Sequence, residues 1–151
     1  LDNDDLRRGR PTCHKQFGEA NAILAGDGLL NFAHEVMIRC ALKEGEDALR
    51  AMACISKAAG VSGMIKGQVY DLAWEGKKLE KSELMLIHEH KTGALITGSL
   101  VSGMLMADGT GEDLQAMREY GHATGLTFQI VDDVLDVTGD TELMGKTLGR
   151  V

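Results

Sequence analysis

The polypeptide is 151 residues long, 44% hydrophobic and only 4% aromatic, with one proline and a formal charge of −7. It is long enough to bury the core of one domain. Its acidity argues against general nucleic-acid binding, which needs basic patches, but local basic clusters leave phosphate substrates open.

Packing falls to aliphatic residues, alanine and eight methionines. Rare proline and scarce alternating β-branched runs point to helices. Leu1 to His14 is dense in charge and ends at Arg10-Pro11-Thr12, which reads as a turn or loop. A helical pattern follows from about Gly18 to Lys43, with Gly45 as its stop. A second helix is expected over Glu46 to Ala59, and a third from about Ser62 to Trp74. Ser82 is the expected N-cap of one long helix reaching about Ala107. Thr110 and Asp113 form a capping box for the last helix, about Glu112 to Val137, and Gly139 to Gly149 reads as a loop. The expected fold is all-α, a helical bundle in a single domain over residues 1–151.

Gly93 to Ala107 carries no charge but is too short to span a bilayer, and Thr97, Ser99 and Ser102 interrupt it. Cys13, Cys40 and Cys54 are odd in number and lack CxxC spacing, which suits reduced thiols in a cytoplasmic protein.

The chemistry concentrates in Gln129-Ile-Val-Asp132-Asp133-Val-Leu-Asp136. At about 100° per residue, Asp132 and Asp136 fall about 40° apart on one helical face. The flanking Phe128, Ile130, Val131, Val134, Leu135 and Val137 imply a largely buried helix. Clustered anions are costly there without a cation among them. Mg²⁺ suits them, taking a few carboxylates, several waters and phosphate oxygens. Arg7-Arg8 stands beside Asp2, Asp4 and Asp5. That pair reads either as surface ion pairs or as a phosphate fork. Lys91-Thr92-Gly93 lies where the long helix turns from charged to uncharged, and Lys146 follows the last helix. His88 and His90 read as a polar helix face. The Gly63/Gly67 and Gly121/Gly125 pairs read as points of close helix approach.

In order, Asp2-Asn-Asp-Asp-Leu-Arg7-Arg8-Gly-Arg-Pro, Phe17-Gly-Glu, Ala25-Gly-Asp27, Gly67-Gln68-Val-Tyr-Asp71, Lys91-Thr92-Gly93, Gly125 through Asp136 and Gly145-Lys146 resemble the trans-isoprenyl diphosphate synthase family. The likeness is greatest to its bacterial, farnesyl-type members. The resemblance implies an isoprenoid synthase bundle, incomplete at both ends. It implies Mg²⁺-dependent head-to-tail condensation of isopentenyl diphosphate with dimethylallyl or geranyl diphosphate, giving farnesyl or geranylgeranyl diphosphate. It assigns Asp132, Asp133 and Asp136 to the second metal-binding motif and Asp2 to the end of the first. Arg7, Lys91, Thr92, Gln129 and Lys146 would contact the allylic diphosphate, with Lys91 and Gln129 closest to catalysis, and Arg8 would contact isopentenyl diphosphate. Asp71 with Gln68 reads either as polar interhelical contacts or, as the resemblance implies, as cavity lining. A cytoplasmic homodimer with no nucleic-acid partner completes the expectation.

The family's first motif has two aspartates ahead of the one matched by Asp2, and these are not in the sequence. The segment therefore reads as the middle of a larger protein, inactive by itself. Two other readings stand beside the enzyme: a non-catalytic partner subunit of a heteromeric prenyl synthase, and a class I terpene cyclase. The intact Asp132/Asp133/Asp136 set and Arg7-Arg8 weigh against the first. The absence of an Asn/Ser/Glu metal motif weighs against the second.

Overall fold

A computed structural model describes residues 3–138. Two two-residue strands, β1 (Leu6–Arg7) and β2 (Arg10–Pro11), precede seven helices: α1 (Cys13–Phe17), α2 (Glu19–Glu44), α3 (Glu46–Ala59), α4 (Met64–Trp74), α5 (Lys81–His88), α6 (Ala94–Met106) and α7 (Gly111–Thr138). Between α5 and α6 lies a π-helical segment, Glu89–Gly93. Among the described residues the fold is all-α but for the strand pair. The expected Gly139 to Gly149 loop lies outside the described residues.

The chain divides into two compact units. One holds the described residues up to Ala33 and those from Val131 onward; the other is His34–Ile130. In the first, a hairpin stands where a loop was expected, pairing Leu6 with Pro11 and Arg7 with Arg10. Its turn places both Arg8 (φ 51°) and Gly9 (φ 72°) in the left-handed region, as a two-residue turn that follows the strand twist requires. Thr12 closes it: its hydroxyl donates to the Asp4 carbonyl at 2.7 Å and its N–H to the Asp5 carbonyl at 3.0 Å.

In the second unit, α3 packs along α6. Ala51, Val101, Leu105 and Leu114 form the buried core, with Cys54, Met104 and Met117 against it. Small residues set the spacing. A Cβ on Gly98 would come within 2.6 Å of the Ala58 Cβ. The buried Ser102 hydroxyl donates to the Ala51 carbonyl at 3.0 Å, satisfying a polar atom inside that contact.

Most helix limits agree with the sequence to within one or two residues, but the expected single helix from Ser82 does not. It begins at Lys81, where Glu80 is the capping residue and its N–H donates to the Glu83 carboxylate at 2.9 Å. The rod is then widened by the π segment.

The Thr110/Asp113 box is present. Asp113 accepts from the Thr110 hydroxyl at 2.7 Å and N–H at 2.9 Å. The hydroxyl bond and then the backbone bond hold its carboxyl below the ordinary value. A depressed folded pKa contributes stability above the unfolded value and loses it as pH falls through the folded one. The first turn of α7 is therefore expected to open in acid, and hydrogen exchange of residues 111–114 measures this. Thr110→Val should weaken that pH response; an unaltered response would refute the assignment.

Candidate functional site

The π segment is an unusual backbone feature of the second unit. An i→i+5 turn inserts one extra residue into a helix and re-aims its side chains, commonly at functional sites. Glycines on neighbouring helices touch it or the turn that follows. A Cβ on Gly67 of α4 would collide with the Lys91 backbone nitrogen. One on Gly125 of α7 would come within 2.6 Å of the Gly93 Cα, and one on Gly121 within 2.7 Å of the Thr97 Cα. The expected close-approach role of Gly67, Gly121 and Gly125 is thus present, whereas Gly63 faces the Ala58 carbonyl in a turn.

Two polar links cross these contacts. Lys91 Nζ lies 2.6 Å from Asp71 Oδ2, with both side chains about a third exposed. The Thr92 hydroxyl donates to Gln129 Oε1 at 2.5 Å. The second bond uses the carbonyl end of the Gln129 amide and turns its NH₂ donors elsewhere. Lys91, Thr92 and Gln129 are therefore brought together, and Asp71 joins them as an interhelical ion pair. Sequence reasoning left the role of Asp71 open; a carboxylate on the helix that Gly67 brings against Lys91 was the available signal.

One histidine departs from expectation: His88 is 3% exposed, not on a solvated face. His90 is half-buried, and its Nε2 lies 3.1 Å from Lys66 Nζ. Lys66 was not singled out in the sequence.

In the first unit, Arg7 occupies β1 and Arg8 the tip of the hairpin. Lys15 pairs with Asp5 at 2.9 Å. Asp132 and Asp133 are half-buried on α7, whose helical backbone continues to Thr138 and so carries Asp136 one turn after Asp132. The Asp136 side chain, Asp2 and Lys146 lie outside the described residues. The flank is not largely buried as expected: Phe128 is 59% exposed and Val134 54%, because nothing among the described residues covers it. No three His, Cys, Asp or Glu side chains among the described residues converge to hold a metal. The donor type nevertheless fits Mg²⁺, since paired hard carboxylates can share the ion with water and substrate phosphate. Among the described residues no helix is long and apolar enough to cross a membrane.

A family model described as Polyprenyl synthetase matches residues 1–150. A chloroplastic geranylgeranyl pyrophosphate synthase of Arabidopsis thaliana is 44% identical, over 99% of this chain and 43% of its own length. The farnesyl diphosphate synthase of Haemophilus influenzae is 45% identical, over 99% of this chain and 51% of its own. Among solved structures, geranyltransferase from Helicobacter pylori, complexed with magnesium and isoprenyl diphosphate, superposes with a TM-score of 0.90 at 37% identity. That match covers 98% of this chain and 49% of the other. The chain thus spans about half the length of the relatives it matches.

Proposed function

The chain belongs to the polyprenyl synthetase family, and on that premise we propose that the intact protein condenses isopentenyl diphosphate head-to-tail with dimethylallyl or geranyl diphosphate. The product is farnesyl or geranylgeranyl diphosphate, and the reaction requires Mg²⁺. The farnesyl and geranylgeranyl synthases among the relatives support this reading. The observation that carries it furthest is the paired locking of Lys91 by Asp71 and of Thr92 by Gln129 on one widened helical turn.

Lys91 donates one N–H to Asp71 and keeps two for the allylic diphosphate. Its charge stabilises the oxygens that become more anionic as the allylic C–O bond breaks. Thr92 fixes the Gln129 amide so that its NH₂ meets the same anion. By resemblance, Arg7 and Lys146 also contact the allylic diphosphate, and Arg8 binds isopentenyl diphosphate through its planar fork. When bound by Asp132, Asp133, Asp136 and Asp2, Mg²⁺ supplies further neutralisation of the leaving diphosphate. The isopentenyl double bond then forms the new C–C bond to the allylic carbon. The proton lost in regenerating an alkene passes to the released diphosphate, so no side-chain base is needed.

The proposal extends to one domain and to a cytoplasmic homodimer. Apolar side chains exposed on α2, including Ile23, Leu24 and Leu29, support a covering partner, and three free thiols suit a reducing compartment. The test is to incubate the intact protein with isopentenyl and geranyl diphosphates and identify the products by mass spectrometry. Longer prenyl diphosphates with Mg²⁺ and none after chelation are expected. A cyclised hydrocarbon, or no product, would refute the proposal.

A further inference from the structure

We infer that Lys66 and His90 form a proton-sensitive latch that positions Lys91 and Thr92, an inference resting on the roles just proposed for those two residues. Lys66 Nζ on α4 lies 3.1 Å from His90 Nε2 and 5.6 Å from the centre of the Tyr70 ring. An ammonium has only donors, so Nε2 accepts and the neutral imidazole carries its hydrogen on Nδ1. Tyr70 stacks on Trp74 with centroids 4.9 Å apart and meets His90 edge-on at 6.4 Å. One face of α4 therefore holds both ring and ammonium. The same helix backs Gly67 against the Lys91 backbone and sends Asp71 to Lys91 Nζ. His90 immediately precedes Lys91, so its bond to Lys66 sets the course of the backbone that presents Lys91 and Thr92.

A second proton on His90 turns the accepting nitrogen into a donor and places two cations in contact, which breaks the bond. The groups around His90 are mostly cationic, so an added positive charge finds little compensation. Lys66 and Tyr70 face His90 from α4, Lys57 of α3 and His122 of α7 line a cavity of about 400 Å³ with it, and Glu89 lines it from the same segment. His88 of α5 and Lys91 adjoin it in sequence, α6 brings uncharged Ala94 and Thr97 to the cavity, and Asp71 is engaged by Lys91. Acid therefore loosens the segment and alkali secures it.

Hydrogen exchange of residues 89–93 in the intact protein, measured in acid and in mild alkali and corrected for the intrinsic pH dependence of exchange, tests the latch. Wild type should lose about threefold in protection in acid, the size expected of a part-exposed charged contact. His90→Gln, whose amide oxygen still accepts from Lys66, should show no such loss. Lys66→Met, which keeps the stem, should be poorly protected throughout. In parallel, KM for geranyl diphosphate should rise about threefold in acid in wild type but not in His90→Gln, with kcat changing less. Equal protection in all three proteins overturns the latch, and altered protection without a KM effect overturns its positioning role. A wild type that makes no product refutes the proposed function instead, and exchange alone then decides the latch.

Discussion

Replacing Asp132 with alanine is expected to lower kcat/KM for condensation by about a hundred- to a thousandfold in the intact protein, the range seen when one pre-placed charge stabiliser is removed. The carboxylate is half-buried on α7, and under the proposed role it binds a cation that bears on the leaving diphosphate. Alanine has the higher helix propensity, and the side chain lies outside the buried core, so the fold should survive. Steady-state rates across a Mg²⁺ titration separate the possibilities. The proposal expects both a lower maximal rate and a higher Mg²⁺ requirement. A variant with the wild-type rate and wild-type Mg²⁺ dependence would remove Asp132 from the metal site.

The second large effect is expected at Gly67. The methyl of Gly67→Ala would fall on the Lys91 backbone nitrogen, and main chain cannot yield as a flexible side chain does. Overpacking of this kind costs about 1–3 kcal/mol, and the rigid backbone neighbour places this site at the upper end. Activity should fall further than stability, because separating α4 from the π segment displaces Lys91 and stretches its bond to Asp71. Misplacement by about 1 Å is enough for a hundredfold loss in rate. Gly103→Ala is the control: its Cβ meets nothing within 4 Å, so stability should hold or rise by about 0.5–1 kcal/mol. Denaturant unfolding and initial rates on both variants check the pair. Equal behaviour would mean that the tight Gly67 contact has no bearing on the site.

The helices were legible because their signals are local. Gly45 ends α2 with φ 89°, and the Thr110/Asp113 box opens α7 in bonds a few residues long. The resemblance named Lys91, Thr92 and Gln129 together, and the Thr92–Gln129 bond joins residues 37 positions apart. The π segment was not legible. Its sequence continues a helical pattern, and what surrounds the wider turn is the backbone contact of Gly67 and Gly125 from two other helices. The hairpin was missed because Arg8 takes a left-handed φ that favours glycine or asparagine, and here is joined by Gly9. His88 was misread because a run of His, Glu and Lys looks solvated, whereas packing of α5 decides its burial. The burial expected around Asp132 failed for a related reason: apolar residues predict that a face will be covered, not what covers it.

The widened turn also fixes a length. One surplus residue between α5 and α6 offsets everything that follows by about 100° relative to an ordinary helix. With that offset, Gly98 and Val101 meet α3 while Lys91 reaches α4. Deleting any single position in Glu89–Gly93 would restore ideal winding and put those two sets of contacts out of phase. The number of residues in this stretch is therefore as constrained as the identities of His90, Lys91 and Thr92 within it.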